Sequence, residues 1–243
     1  ACVIRWFHAS VTYRELLPVR AASYVIAFFN VNVGRGALAA YLSRRLGIPF
    51  LQIGSTVLFL LLTEYTHLVV WGIVGLLLFQ SPAAEQLWWG PLGVAALWLM
   101  MVVARSVMGG WSLLRTFRMA PPLRYLQVVL LRVPMFAVSL CLHFFAARTF
   151  GLEIPFPQML TFLPLIFMIA ALPITVAHLG STQAAWLFFF SAYAPPPKLL
   201  AFSLAAHLTF MATRALLGIA FLPRAYSELV EGRKTASLLA QRA

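Results

Sequence analysis

Acidic side chains are scarce in this chain. Its 243 residues contain six carboxylates against 18 Lys and Arg, a net charge of +12, and every acid is a glutamate. Glu15, Glu85, Glu153, Glu228 and Glu231 fall in connections or the tail, which leaves Glu64 as the acid inside a long apolar run. A carboxylate-bridged dimetal centre needs a second Glu-x-x-His motif and further acids. Glu64-Tyr65-Thr66-His67 therefore implies no metal site, and a hydrogen bond from Glu64 to His67 along one helix face is its simpler account. Cysteine is scarce too: Cys2 and Cys141 make no disulfide framework, the latter lies in an apolar run, and the pair fixes no redox compartment. Gly-x-Ser-x-Gly, His-Glu-x-x-His and Gly-x-x-x-x-Gly-Lys-Ser/Thr are all missing, so common hydrolase and ATPase signatures are excluded. The start, "ACVIRWFHAS", has no charged n-region leading into an apolar stretch. It reads as lacking a signal peptide, and the expectation is that helices once preceding it are missing.

What remains is hydrocarbon. Hydrophobic residues make up 62% of the chain and charged ones 10%, far from the soluble mixture of about half apolar and a quarter charged. This is the composition of an integral membrane protein. Its basic residues lie between the apolar runs, where they set topology and meet anionic headgroups, so nucleic acid is not an expected partner. Four runs suffice to cross ~30 Å of hydrocarbon, which takes about 20 helical residues: Gln52 to Phe79, Trp88 to Met108, Tyr125 to Ala147 and Leu199 to Leu222.

Two further apolar stretches are broken. Leu16 to Leu42 is interrupted at Asn30 to Gly36, within "FFNVNVGRGALAAYLSRR", and Gln158 to Ala194 at "LPITVAHLGSTQ". Arg148 and Lys198 stand on one side of the expected membrane, Arg132 and Arg214 inside spans, and every other basic residue on the opposite, cytoplasmic side. That segregation holds only if each broken stretch enters and leaves by the same face. The expected fold is thus all-α and polytopic: four full spans plus two re-entrant helical hairpins in an inverted repeat, over residues 1–223, with a cytoplasmic tail at 224–243. Paired, interrupted segments in corresponding halves point to a transporter's substrate site. Kinked helices would be the plainer account of each break taken alone.

Ionisable groups at membrane depth cost roughly 2.5 to 3.5 kcal/mol each, so each needs a reason. Glu64 and Arg214 lie well inside spans, and Arg132 lies about two turns in, within snorkelling reach. Thr56, Thr63 and His67 form one helical stripe, Arg132, Ser139 and His143 a second, and His207, Arg214 and Gly218 a third. Converging, they would line a polar cavity; singly, such stripes serve as contacts between helices. Gly109 to Pro122 interleaves Trp111, Leu114 and Phe117 with Arg115 and Arg118, as suits a short helix at an anionic leaflet.

At the broken stretches the sequence resembles the membrane domain of bacterial lysyl-phosphatidylglycerol synthases and related flippase-like integral membrane proteins. The corresponding residues are Asn30, Gly34, Arg35, Gly36 and the Arg44-Arg45 pair, then Pro173, Gly180 and Gln183. Departures are specific: Val33 replaces a usual Pro, Ala37 a Glu, Ala177-His178 a Gly-Gly pair, and Gln183 a Glu. The resemblance implies lipid translocation in a bacterial inner membrane, C-terminus cytoplasmic, without the soluble aminoacyl-transferring domain and hence without enzymatic activity of its own.

The expected function is translocation of an anionic phospholipid or polyprenyl-type lipid between leaflets, with no cofactor. Phospholipids and other membrane subunits are the expected partners. Asn30, Asn32, Gly34, Arg35, Gly36, Glu64, Pro173, His178, Gly180, Gln183 and Arg214 form the expected substrate site. A guanidinium near glycines and half-helix N-termini binds phosphate well. The alternatives are an accessory subunit that keeps the fold without transport, and an intramembrane lipid enzyme using His143 or His178 as a base.

Overall fold

Helix ends follow the local side-chain chemistry. Thr12 opens α2 (Tyr13–Phe29): its backbone N–H donates to the Glu15 carboxylate at 2.9 Å, and the Glu15 N–H donates to the Thr12 hydroxyl at 3.4 Å. This reciprocal box satisfies amides that the helix itself leaves open. α3 (Val31–Leu46) stops at Gly47, whose φ of +64° suits glycine, and the Ile48 N–H bonds back to the Ser43 carbonyl at 3.2 Å. α7 (Pro122–Thr149) closes the same way through Gly151, φ +75°, with Leu152 N–H on the Ala147 carbonyl at 2.8 Å. A computed structural model describes residues 2–8, 11–29, 31–79, 89–107, 110–171 and 180–240, and among them every regular element is a helix. The remaining elements are α1 (Cys2–Phe7), α4 (Phe50–Phe79), α5 (Trp89–Val107), α6 (Arg115–Met119) after a 3₁₀ turn at Ser112–Leu114, α8 (Phe156–Ala171), α9 (Ser181–Phe190) and α10 (Pro196–Ala240).

Among the described residues, three helical segments are long and apolar enough to cross a membrane: Phe50–Leu78, Pro122–Thr149 and Pro196–Ser227. The fourth expected span is α5, a helix of 19 residues. Both broken stretches fold as paired shorter helices, of 17 and 16 residues for α2 and α3 and of 16 and 10 for α8 and α9. The first interruption is narrower than the sequence suggests: α3 begins at Val31 and includes Gly34, Arg35 and Gly36. Gly34 is accommodated there because α2 packs against it at Ala27. α10 runs through Pro223 to Ala240 with no break where the tail was expected to start.

The chain divides into two compact units, Ala1–Val57 with Leu208–Ala243, and Leu58–His207. In the first, α2 and α3 run antiparallel. Arg45 reaches the Glu15 carbonyl at 3.4 Å at one end of the pair. At the other end Gly34 faces Ala27 so closely that a β-carbon would meet the Ala27 β-carbon at 2.7 Å. Val11, Leu16, Ala39, Leu42 and Ile53 form the buried core. Gly218 of α10 is seated against Ala21 and Val25 of α2.

The second unit is built on aromatic packing. Met159, Leu163 and Ile166 of α8 are fully enclosed with Phe190 of α9 and Leu199 of α10. Phe162 stacks on Phe189 at 5.1 Å, and Trp186 meets Phe190 and Phe202 at 4.8 and 5.0 Å. Gly75 of α4 lies against Thr161 of α8. Leu130, Met135, Val138, Leu142 and Phe145 of α7 remain exposed, the apolar face expected toward lipid. The segment before α7 is anchored by Phe117, whose ring meets Phe59 at 5.6 Å and whose carbonyl accepts from the Tyr125 hydroxyl at 3.1 Å.

Candidate functional site

The long helices carry charges that hydrocarbon alone would not tolerate. Glu64, near the middle of α4, pairs with Arg132 of α7 at 3.6 Å, their side chains 32% and 20% exposed. The same guanidinium donates to the Leu60 carbonyl at 3.1 Å. Arg132 is therefore held inward rather than snorkelling, and Glu64 finds its partner across helices rather than in His67. Close by, the Trp98 indole N–H donates to the Thr66 hydroxyl at 2.6 Å, which donates on to the Leu62 carbonyl at 2.8 Å. The hydroxyl of Thr63 bonds the Phe59 and Leu60 carbonyls, both at 3.0 Å. That polar position serves its own helix and offers nothing to a cavity.

His67 follows Glu64 by one turn and is only 4% exposed. The rings of Trp71 and Phe136 stand edge-on to it at 6.3 and 5.8 Å. Its Nε2 is buried with no hydrogen bond among the described residues. His143 differs: its Nδ1 lies 2.8 Å from the Ser139 carbonyl, and its ring packs near Phe167 and Trp186.

In the other unit, the Arg214 guanidinium lies over the Tyr24 ring at 4.4 Å and beside Phe210 at 5.1 Å. Two aromatic rings thus lie against the guanidinium, whose delocalised charge suits an anion. Arg35, one turn into α3, is half-buried with its Nη1 enclosed. The two flanking glycines behave differently. Gly34 is consumed by contact with Ala27, whereas nothing lies within 4 Å of a β-carbon on Gly36.

At the start of α9, Gly180 has φ +92° and its N–H donates to the Gln183 Oε1 at 2.7 Å. Gln183 thus closes the first turn of its helix. Its Nε2 is buried without a hydrogen bond among the described residues. Asn30, Pro173 and His178, and the side chain of Asn32, lie outside the described residues. Of the expected site, Gly34, Arg35, Gly36 and Arg214 belong to the first unit, and Glu64, Gly180 and Gln183 to the second. Tyr24, Phe210 and the partnership of Arg132 with Glu64 were not legible beforehand, because their members come from distant parts of the chain or carry no motif. No group of three His, Cys, Asp or Glu side chains suited to a metal ion occurs among the described residues.

Residues 9–218 match the family described as the lysylphosphatidylglycerol synthase TM region. The chain belongs to that family. As a lysylphosphatidylglycerol synthase TM region, it is a membrane-associated protein linked to lipid handling. No curated protein and no solved structure matches it.

Proposed function

We propose that this protein translocates an anionic phospholipid or polyprenyl-type lipid between leaflets of a bacterial inner membrane, with its C-terminus cytoplasmic, and that it catalyses no chemical step itself. The observation that carries the reading is the Arg214 guanidinium held between Tyr24 and Phe210. It adjoins a pair of shorter helices, α2 of 17 and α3 of 16 residues, that carries Arg35. Lipid phosphate would accept hydrogen bonds from a guanidinium. Asn30, Asn32 and Gly36 would complete the contact with the headgroup.

The re-entrant, inverted-repeat arrangement draws support from a correspondence between the units. Each contains a pair of short helices, and each pair is followed in sequence by a long one, α4 or α10, most of whose residues belong to the other unit. In each, a glycine from a long helix, Gly218 or Gly75, lies against the first short helix, at Ala21 and Val25 or at Thr161. Close glycine-mediated approach is a usual device of helix packing in membranes, and its recurrence in equivalent places favours repetition over coincidence.

In proteoliposomes bearing fluorescent phosphatidylglycerol, transbilayer exchange should fall at least tenfold on Arg214→Ala and on Arg35→Ala. Unchanged exchange in both variants would remove the proposed headgroup contacts. An accessory subunit without transport is the second reading, favoured by the use of Gly34 in packing and of Gln183 in capping. Fixed stoichiometry in a larger membrane assembly, with no exchange by any preparation, would decide for it.

A further inference from the structure

The charged cluster of α4 and α7 has a property that the headgroup contacts do not use. We propose that Glu64, Arg132 and His67 form a proton-binding site that licenses lipid binding: a proton on His67 Nε2 recruits the Glu64 carboxylate, and Arg132 is released to an anionic headgroup. This rests on the lipid-translocation reading above and names the ion that regulates it.

Position and charge carry the argument. Glu64 and His67 are one turn apart on α4, so one carboxylate is within reach of both the Arg132 guanidinium, at 3.6 Å now, and the imidazole. His67 Nε2 is buried without a hydrogen bond among the described residues. The Val129 backbone carbonyl acts on the imidazole as a hydrogen-bond acceptor, whereas Trp71 and Phe136 present rings and the Thr63 hydroxyl donates to backbone carbonyls. The charges acting on His67 are those of Arg132 on α7 and Glu64 on its own helix. His143 of α7 is turned to its own Ser139 carbonyl, and α8 contains no titratable side chain.

Charge balance then couples two ligands. With neutral imidazole the cluster sums to zero. A lipid phosphate arriving alone would leave a net negative charge in a poorly solvated place, and a proton arriving alone a net positive one. Both together restore neutrality, so each raises affinity for the other. No bond but N–H forms, the proton comes from water, and Glu64 exchanges one cation for another.

The test is proton uptake by the full chain in detergent, in weakly buffered solution with an indicator dye, on adding dihexanoyl-phosphatidylglycerol. The wild type should take up about one proton per lipid bound. Its affinity should weaken as pH rises, by up to about tenfold per unit, and dihexanoyl-phosphatidylcholine should elicit no uptake. His67→Gln should abolish uptake, and Glu64→Gln, which removes the carboxylate from Arg132 without a proton, should bind the lipid with no uptake and no pH dependence. Gel filtration reports whether each variant folds, and the wild-type measurement stands without them. Wild-type binding with no proton uptake, absence of binding, or undiminished uptake by folded His67→Gln overturns the proposal. Exchange in liposomes that is insensitive to pH yet abolished by Arg214→Ala would sink this inference and leave translocation standing.

Discussion

Gly218 lies so close to Ala21 that a β-carbon added to it would meet the Ala21 carbonyl oxygen at 2.8 Å. Gly75 stands likewise to Thr161, whose Cα would be 2.7 Å from the added atom. In both cases the obstacle includes backbone, which cannot swing aside. Gly75→Ala and Gly218→Ala should therefore destabilise the folded protein by about 1–3 kcal/mol, read as a lowered thermal unfolding midpoint in detergent. A midpoint within error of wild type would show that neither helix contact is tight.

The two glycines flanking Arg35 should separate in the same measurement. Gly34→Ala drives a methyl group into Ala27 and should lower the midpoint. Gly36→Ala meets nothing within 4 Å and removes a flexible residue from a helix, which should leave stability unchanged or raise it by about 0.5–1 kcal/mol. Equal losses in both would refute the assignment of Gly34 to hairpin packing.

Removing one member of the Glu64 and Arg132 pair strands the other's charge. Glu64→Gln should cost about 1–3 kcal/mol, moderated by the pair's partial exposure. Adding Arg132→Met should recover part of that loss. A double-mutant cycle in chemical unfolding checks it, and additive losses would mean the two charges do not interact.

Glu15 supplies a pH dependence with a definite sign. The Thr12 backbone N–H holds its carboxyl below the ordinary value of 4.5. A depressed folded-state pKa contributes stability that is present above the unfolded value and lost as pH falls through the folded one. The midpoint difference between wild type and Glu15→Gln should accordingly be full at neutral pH and shrink as pH drops below 4.5. A difference that grows on acidification contradicts the capping box.

Gln183 should matter through its carbonyl oxygen. Gln183→Leu deletes the bond to the Gly180 N–H and should cost about 1 kcal/mol, whereas Gln183→Glu keeps an acceptor in place. Faster amide exchange at Gly180 in the leucine variant alone would report the lost cap.

Much of the architecture could be read along the chain, because membrane insertion acts on contiguous residues. Uninterrupted apolar length gave the spans now seen as α4, α7 and the first part of α10. The interruptions near Asn30 and Gly180 separated paired short helices, although the first break proved narrower, since a glycine in α3 can be absorbed by a close helix neighbour.

Other relationships came only from the tertiary fold. Local pattern placed Glu64 beside His67, but the acid's partner is Arg132, and no spacing rule links positions on separate helices. Arg214 was conspicuous as a charge within an apolar run, yet Tyr24 and Phe210 as its aromatic supports depended on how α10 meets α2. Composition and run length by themselves determined that the chain is helical and enters a bilayer, because the cost of solvating backbone and charge in hydrocarbon is paid residue by residue. Which polar groups meet was decided by side-chain packing between helices, and that depends on shape and distance across the fold.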